Sequence, residues 1–483
     1  MPVVEWIGPS RMDGDNAQAH TARLINCYRE PIGDGKFVVK AVPGMSEFAT
    51  LGGVFMREMA EVGGVIHVAH GGGLYRIADT NNVTLLGAID DAPDTTISGN
   101  NGDIAVAADG NYRVYTGGAM TSPATGSFSD VGSVSFLGQR TILTQRNGAG
   151  IQWSDVADAS TFDPLDFATA ESRDDNLIRG EVINGQFWAF GERSIERWYV
   201  TGSGESTEFI APLGGGTIDT GLNAFGLLTV FPNGSVFVGS DGIVYLASGG
   251  QLQPISSRAV ETSIEQDGPK RCFYYTDRGH KFCVIQFQNR PAWCYDISAN
   301  EWHERAEGTT LRSWSAVSAV QAYGGNYVGT ETGEIYKLER NNVDATGPLV
   351  RRAVSRTLDI EGRFFTINKL QLSVTTGEAD VQRPLTRVLA TAPFEALDAG
   401  DGGALIVDHD GLGPKDAEIT VRVSKDRGKT WGPEKIRSLG AFGQYDKLVR
   451  LHALGGGYRA TVEFTMTEPA EISIESTALL EVA

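Results

Sequence analysis

The sequence predicts an all-β protein, with a β-propeller of about six or seven blades followed by a C-terminal antiparallel β-sandwich-like domain. Three observations support this prediction. Helical periodicity is almost absent along the 483 residues, and the 60 glycines are dispersed rather than periodic. Short runs rich in Val, Ile, Phe, Tyr and Trp are bounded by clusters of Gly, Asn, Asp and Ser, which is the pattern of strands joined by turns.

The propeller is predicted over residues 41–345, after an N-terminal extension of residues 1–40. The shared unit is an apolar strand, a turn with Gly or Asp-Gly, and a second strand that carries Tyr or Trp. From the fourth unit on, the units begin at Val182, Leu228, Tyr275 and Val317, which are 46, 47 and 42 positions apart. This spacing fits the ~40–50-residue period of a four-stranded propeller blade.

The pattern changes after residue 345. Residues 346–365 are predicted as a linker with a strand, and residues 366–483 as the C-terminal β domain. Long alternating strands such as 369–374 (KLQLSV) and 458–466 (YRATVEFTM) indicate antiparallel pairing with one buried face.

Charge and composition exclude several classes of protein. The chain has 41 basic and 60 acidic side chains and a formal net charge of −19, which argues against a protein that binds nucleic acid through its phosphates. The four cysteines form no C-x-x-C pair, so they predict reduced, buried thiols rather than a disulfide scaffold or a zinc site. We expect no signal peptide and no membrane insertion, because no long apolar run is present.

The most specific short motif is residues 424–431 (SKDRGKTW). It matches the Asp-box pattern S-x-D-x-G-x-T-W, which resembles the turn repeated in bacterial and viral sialidases. In such a turn the Asp side chain accepts backbone N–H bonds, Gly takes the tight bend and Trp packs beneath. A single box outside the propeller is more typical of a stable turn than of a glycosidase, whose other residues show no distinctive spacing here.

Other candidates for chemistry are weaker. His67 and His70 are three apart on one predicted strand and are expected to face opposite sides. The residues Asp155, Asp158, Asp163 and Asp166 are more typical of a solvated acidic loop than of a calcium site. His303-Glu304 lacks the second histidine of H-E-x-x-H. The sequence therefore predicts no enzyme, no cofactor and no metal.

Three stretches carry a resemblance to a known family. The first comprises residues 24–30 (LINCYRE), 42–45 (VPGM) and 71–76 (GGGLYR). The second and most specific comprises residues 153–156 (WSDV), 161–171 (TFDPLDFATAE) and 190–202 (FGERSIERWYVTG). The third is residues 443–450 (GQYDKLVR) with Gly455. Together they resemble the tail hub proteins of short-tailed bacteriophages, also called packaged-DNA stabilisation or head-completion proteins.

The resemblance implies a structural protein of the virion tail, assembled in the cytoplasm of the bacterial host. It implies a ring of identical subunits, typically six, beneath the portal and its adaptor protein. Such a ring closes and lines the DNA exit channel as a nozzle and anchors tail fibres, spikes or a needle. Double-stranded DNA would pass without specific binding.

Two segments are predicted as contact surfaces, because both carry the shared motifs on loop-rich sequence. The candidate residues are Trp153, Asp155, Phe162, Asp163, Glu171, Gly443, Tyr445 and Arg450. Two other functions stay open at this point, a carbohydrate-active propeller (a sialidase-like hydrolase or a lectin) and a cellular propeller scaffold.

Overall fold

The computed structural model divides the chain into two compact units, Met45–Leu338 and a second unit that combines Met1–Gly44 with Glu339–Ala483. The first unit is called the propeller below and the second the sandwich. The structure describes residues 3–10, 21–33, 36–203, 205–376, 390–391, 395–396, 418–439, 447–467 and 472–482.

The propeller has seven blades; six are separate four-stranded antiparallel sheets, and blade 6 is four antiparallel strands within a larger sheet. The predicted fold class is thus confirmed, and the blade number is at the upper end of the expected range. The strands of blades 1 to 6 follow one another along the chain. They are, for blade 1, Met56–Val62, Val65–His70, Gly73–Ile77 and Val83–Ala88; for blade 2, Thr96–Asn100, Asp103–Ala108, Asn111–Thr116 and Ala119–Thr121; for blade 3, Val131–Leu137, Arg140–Gln145, Gly150–Trp153 and Phe167–Thr169; for blade 4, Leu177–Ile183, Gln186–Gly191, Ile195–Val200 and Ile210–Pro212; for blade 5, Leu228–Phe231, Gly234–Val238, Val244–Ser248 and Gln251–Pro254; and for blade 6, Pro269–Asp277, His280–Phe287, Ala292–Asp296 and Glu301–Glu307, with Arg312–Ser313 added at its edge.

Blade 7 is built from both ends of the propeller segment. Its strands Ala316–Ala322, Gly325–Thr330 and Glu334–Glu339 are completed by Gly44–Thr50, which pairs with the third of them. Beyond this strand, the Leu51 N–H donates to the Gly333 carbonyl at 3.0 Å. The first segment of the propeller therefore closes the ring on its last blade, so no blade edge is left open at this point.

The first strand of each blade is the innermost, and the first strands of successive blades pack against one another around the axis in six of the seven neighbouring pairs, the pair of blades 4 and 5 being the exception. In five blades this strand carries a register shift near its start, which lies just before Glu58, Ser133, Arg179, Arg271 and Ser318. These five residues therefore occupy equivalent positions, which we call the axial position. In blade 2 the equivalent residue is Thr96, as its contacts show.

Side-chain hydroxyls at the axial position join neighbouring blades. The Oγ1 of Thr96 accepts the Val134 N–H at 2.9 Å, and the Oγ of Ser133 accepts the Gly180 N–H at 2.9 Å. The Oγ of Ser318 accepts the Met59 N–H at 3.1 Å. In each case the donor directly follows the axial residue of the next blade.

Two short helices interrupt the strands. A 3₁₀ turn spans Ser206–Glu208, and an α-helix spans Arg258–Asp267 between blades 5 and 6. The helix buries Ala259, Val260 and Ile264 against the apolar core that these two blades share. The Trp293 indole N–H donates to the Oγ of Ser263 at 2.9 Å and fixes the helix to blade 6. Among the described residues, neither helix has the length and apolarity needed to cross a membrane.

The sandwich consists of two sheets around one apolar core, whose members include Trp6, Leu372, Leu451 and Phe464. One sheet contains Val3–Glu5, Cys27–Gly33, Lys36–Ala41, Phe365–Thr376, Lys447–Gly457 and Ile472–Val482; the other contains Arg23–Ile25, Arg351–Val354, Leu358–Asp359, Glu418–Ser424, Lys435–Ser438 and Arg459–Met466. The described residues of the unit also form two small hairpins, Val343–Asp344 with Gly347–Pro348 and Ala390–Thr391 with Glu395–Ala396.

The N-terminal residues belong to the sandwich through main-chain pairing. Strands Val3–Glu5 and Lys36–Ala41 both pair with the last strand, Ile472–Val482. The sequence predicts residues 1–40 as a separate extension, because pairing between strands so far apart in the chain leaves no local pattern. The propeller is thus an insertion within the sandwich segment of the chain.

An Arg–Glu–Arg group bridges strands of the second sandwich sheet. Both oxygens of the buried Glu463 carboxylate are used: Oε2 accepts from Arg352 Nε at 2.6 Å, and Oε1 accepts from Arg422 Nε at 2.8 Å. Each guanidinium also donates a second hydrogen bond to the same oxygen. This fork geometry is the strong form of a charged hydrogen bond.

Substituting Glu463→Gln is expected to destabilise the sandwich by roughly 3–5 kcal/mol, because it leaves two guanidinium charges without their counter-charge. Urea unfolding followed by circular dichroism measures the change. Glu361→Gln is the matched control, since the Glu361–Arg363 pair is exposed and 3.8 Å apart; this change should cost at most about 0.5 kcal/mol. Equal costs for the two variants would contradict the assignment.

Candidate functional site

The predicted contact loop lies between the third and fourth strands of blade 3. Trp153 ends the third strand and is only 1 % exposed. Its indole N–H donates to the Ser206 carbonyl at 2.9 Å, and its ring centroid is 5.9 Å from that of Phe209. Trp153 therefore anchors the loop to blade 4 from within and presents no surface to a partner.

A charged clamp holds the far end of the loop. The carboxylate of Asp166 is buried, its Oδ2 accepts from the Ser206 hydroxyl, and this oxygen is 3.6 Å from Arg140 Nη1. Arg140 Nη1 also donates to the Ser154 carbonyl at 2.6 Å, and the guanidinium lies over the Phe209 ring at 5.2 Å. Both ends of the loop are thus fixed to Ser206 of blade 4 and to Arg140 of blade 3.

The middle of the loop packs toward blade 2. Phe162 is 8 % exposed, and its ring meets that of Tyr112 edge to face at 5.6 Å. The Tyr112 hydroxyl donates to the Ala159 carbonyl at 2.7 Å, and burial raises the pKa of Tyr112 so that the hydroxyl keeps this proton. Phe162 and Ala159 therefore belong to the core between blades 2 and 3.

The outer surface of the loop is mixed in character. The charged candidates Asp155, Asp163 and Glu171 are exposed. Between them the loop exposes two aliphatic side chains, Val156 (55 %) and Leu165 (70 %). Val156 and Leu165 are not among the contact residues predicted from the sequence, although an apolar residue within an acidic loop is a signal that could have identified them.

Two apolar side chains of blade 4 are exposed at its third strand, Tyr199 and Val200. A methyl group built on Gly138 would lie 3.6 Å from Val200 and 3.0 Å from Phe209, so the Gly138 turn of blade 3 lies against this strand. The Ala157 N–H donates to the Gln139 carbonyl at 2.8 Å, which attaches the contact loop to the same turn. Phe167, at the start of the fourth strand of blade 3, is also exposed (47 %). We call these five exposed side chains, Val156, Leu165, Phe167, Tyr199 and Val200, the rim patch.

The second predicted contact segment is described only in part. Gly443 and Tyr445 lie outside the described residues. Arg450 is exposed on the strand Lys447–Gly457, and its Nε donates to Oε1 of Gln371 on the neighbouring strand at 3.1 Å.

Releasing the clamp should loosen the contact loop without unfolding the propeller. Asp166→Asn removes the negative charge between Arg140 and Ser206, and losing a buried charged hydrogen bond costs about 1–3 kcal/mol. We expect faster proteolytic cleavage within residues 155–165 at an almost unchanged circular dichroism spectrum. Asp155→Asn, an exposed change in the same loop, is the control and should leave the cleavage rate unchanged. Equal rates for the two variants would show that the clamp does not hold the loop.

The Asp-box of the sandwich forms a self-contained turn. Oδ1 of Asp426 accepts the Thr430 N–H at 2.8 Å, Oδ2 accepts the Thr430 hydroxyl at 2.5 Å, and the Oγ of Ser424 accepts the Gly428 N–H at 2.7 Å. The Arg422 guanidinium lies 5.7 Å from the Trp431 ring centroid. The polar atoms of the motif are thus used within the turn itself, as expected for a structural role.

The turn predicts a pH dependence. The Thr430 side-chain and backbone hydrogen bonds, with that of Ser424, lower the pKa of Asp426 to about 2. Since the folded pKa lies below the unfolded value of about 4, the turn is fully stabilised above pH 4 and loses this contribution as the pH falls through 2. An NMR titration of the Asp426 carboxyl carbon should report a midpoint near 2. A midpoint near 4 would contradict the hydrogen bonding.

The remaining sequence candidates do not form a chemical site. Nδ1 of His67 is 3.1 Å from the Val65 carbonyl and Nε2 of His70 is 3.0 Å from the Gly52 carbonyl, so the two rings have separate partners. Burial lowers the pKa of His67. Within the described part of the chain, no three His, Cys, Asp or Glu side chains are grouped to hold a metal ion.

The four cysteines are buried and unbridged, as predicted. Burial raises the pKa of Cys27 and of Cys294 to about 12, so these sulfurs stay protonated and are poor nucleophiles.

Comparison with solved structures finds similar chains of low sequence identity. The WD40 β-propeller domain of Doa1 is 13 % identical with a TM-score of 0.42, over 61 % of this chain and 97 % of that domain. The computationally designed Ika8 protein is 12 % identical with a TM-score of 0.38, over 69 % and 100 %. The extracellular domain of the putative one-component system BT4673 from B. thetaiotaomicron is 12 % identical with a TM-score of 0.42, over 61 % and 39 %.

A search of curated proteins finds no match. The family model described as the β-propeller of bacteriophage P22 Gp10, a phage stabilisation protein, matches residues 13–343, which is more than half of the chain and includes every blade. The chain therefore belongs to this phage stabilisation family, and the family supports a structural role in a bacteriophage particle.

Proposed function

We propose that this chain is the subunit of a tail hub ring in a short-tailed phage. The ring, typically of six copies, binds beneath the portal and its adaptor protein, closes and lines the DNA exit channel, and anchors fibres, spikes or a needle. The observation that carries the proposal is the family match over residues 13–343. It is supported by the hub motif of residues 153–171, which forms the contact loop, and by that of residues 190–202, which exposes Tyr199 and Val200 beside it.

The charge of the chain suits a conduit. At −19 per chain, a ring of six carries about −114 charges, and like charge repels DNA phosphates rather than holding them. A channel wall with little affinity for DNA allows the DNA to leave the particle quickly.

The rim patch is the proposed contact between subunits. Its side chains are apolar and exposed, and the backbone beneath them is fixed by Trp153, Asp166 and Arg140. A ring with one subunit type needs such a patch to meet a different surface of the next copy. A rigid patch loses little conformational entropy on assembly, which favours binding.

The native mass tests the hub assignment. With 51.8 kDa per chain, a ring of six has a mass of about 311 kDa and should show a central hole in negative-stain images. If the purified chain is a monomer, the adaptor protein is added, and the native mass and the negative-stain images of the mixture are recorded. A monomer under both conditions would contradict the proposal.

A substitution in the rim patch tests the contact surface separately. Leu165→Glu places a charge at a side chain that is 70 % exposed, so the fold should be unchanged while the ring dissociates at least tenfold more readily. Leu85→Glu is the matched control, because Leu85 is also exposed (59 %) but lies in blade 1. Deleting the loop is a poorer test, since it removes the buried Phe162. If the Leu165→Glu variant forms native rings, the rim patch is not the contact between subunits, while the hub assignment is unaffected.

A further inference from the structure

Three axial positions carry charged residues instead of the joining hydroxyl. They are Glu58 in blade 1, Arg179 in blade 4 and Arg271 in blade 6. A guanidinium has no acceptor and cannot replace the oxygen of Ser133 or Ser318. At the two arginine positions the fold therefore gives up the side-chain acceptor that it uses elsewhere to join its blades. The Glu58 carboxylate could accept such a bond, but within the described residues it does not.

These three residues line one cavity of about 370 Å³ on the propeller axis, and the carboxylates of Glu61 and Glu181 also belong to its wall. The wall is formed by first-strand residues of blades 1, 2, 4, 5, 6 and 7, so the cavity lies where these strands face each other. Because Glu58, Arg179 and Arg271 are equivalent in position, their side chains start from the same level along the axis.

The partners of these groups within the described residues are incomplete. Arg271 Nη2 donates to the Pro93 carbonyl at 3.1 Å, and no carboxylate pairs with this guanidinium among the residues described. Arg179 is 8 % exposed; its Nη2 donates to Oε2 of Glu181 at 2.9 Å, while its Nε has no partner in the described part of the chain. Over the same residues, the Glu58 carboxyl makes neither a hydrogen bond nor an ion pair within 4.0 Å.

The electrostatics show that these groups interact across a gap. Burial raises the pKa of Glu58, while Arg179 and Arg271 act in the opposite direction. Burial lowers the pKa of Arg271, and Glu58 partly offsets this. Arg179 is paired with Glu181, whereas the half-buried Glu58 and Arg271 affect each other's charge without direct contact, and a partly desolvated charge without a direct partner is costly.

Gly226 makes room for Arg271. A Cβ at this position would lie 2.9 Å from both Cδ and Nη1 of Arg271 and 3.2 Å from the Lys270 carbonyl oxygen. The Gly226 carbonyl also accepts the Cys272 N–H at 2.8 Å. Gly226 therefore both joins blades 5 and 6 and permits the arginine to lie along the wall.

We propose that this axial cavity is a binding site for a small oxyanion of the hydrogen phosphate class. The anion accepts hydrogen bonds from Arg179 and Arg271, as guanidinium groups provide. Its remaining hydroxyl donates a hydrogen bond to the Glu58 carboxylate, whose ionised form the charges of Arg179 and Arg271 favour. Sulfate has no proton at neutral pH and binds less tightly, because it cannot donate to an ionised Glu58. The site lies within one chain and is independent of the hub role.

Isothermal titration calorimetry of the full chain at constant ionic strength tests this site, with inorganic phosphate and sulfate as probes. Phosphate is expected to bind saturably and more tightly than sulfate. Arg271→Gln and Arg179→Gln should each weaken phosphate binding at least tenfold. Arg113→Gln is the control, because Arg113 pairs with Asp90 outside the cavity and should leave the affinity unchanged.

Two further variants separate binding from a structural role. Gly226→Ala keeps both arginines but displaces Arg271, and should also weaken phosphate at least fivefold. Glu58→Gln removes the negative charge and should reduce the preference for phosphate over sulfate, a ratio that a merely structural residue would not change. Thermal unfolding of each variant shows whether it is folded.

The outcomes are distinct. Absence of saturable phosphate binding, or equal affinities for Arg271→Gln and Arg113→Gln, would overturn the proposal. An unchanged phosphate-to-sulfate ratio in Glu58→Gln would also contradict it. Competition by deoxythymidine monophosphate would support the site and identify a phosphate ester as a ligand, whereas saturable phosphate binding without such competition would support it as a site for the free ion.

Discussion

Closure of the ring is the constraint on which the propeller depends, because a four-stranded blade cannot bury both of its faces alone. The first strands of blades 1, 3, 4 and 6 each donate a backbone N–H to the preceding blade, and a buried N–H of this kind needs an oxygen to accept it. Thr96, Ser133 and Ser318 supply that oxygen from their side chains, and Gly226 supplies it from its carbonyl. The strand Gly44–Thr50 then completes blade 7, so the two ends of the propeller segment are held side by side.

A closed ring gives its surface loops a fixed base. The contact loop uses this base at three points: Trp153 bonds to blade 4, Asp166 is held by Arg140 and Ser206, and Phe162 enters the core between blades 2 and 3. The residues that make the loop recognisable in sequence are thus largely those that support it. The residues that face outward, such as Val156 and Leu165, are the ones free to vary with a partner.

The sequence was sufficient for the parts of the fold that have a short period. Alternating strands, glycine turns and a spacing near 45 residues predict blades, and the structure has seven. The pairing of the N-terminal strand could not be predicted from the sequence, since Val3–Glu5 pairs with Ile472–Val482 at the other end of the chain. The axial position was also hidden, because a register shift moves Glu58, Arg179 and Arg271 out of simple alternation. Trp153 and Phe162 were found by their motif, but burial by neighbouring blades could not be inferred from it.

Each of the two units places one glutamate near two arginines, but the side chains are in direct contact in only one of them. In the sandwich, Glu463 lies between Arg352 and Arg422 and both of its oxygens are saturated by guanidinium donors. In the propeller, Glu58 also faces two arginines, Arg179 and Arg271, yet stays apart from both. A buried group of this kind stabilises a fold only when its hydrogen bonds are complete. The Arg352–Glu463–Arg422 group therefore stabilises the sandwich itself. Glu58, Arg179 and Arg271 instead line a cavity, at axial positions where a hydroxyl side chain would be enough to join the blades. That difference is why the axial arginines are better explained by something they bind than by the fold they belong to.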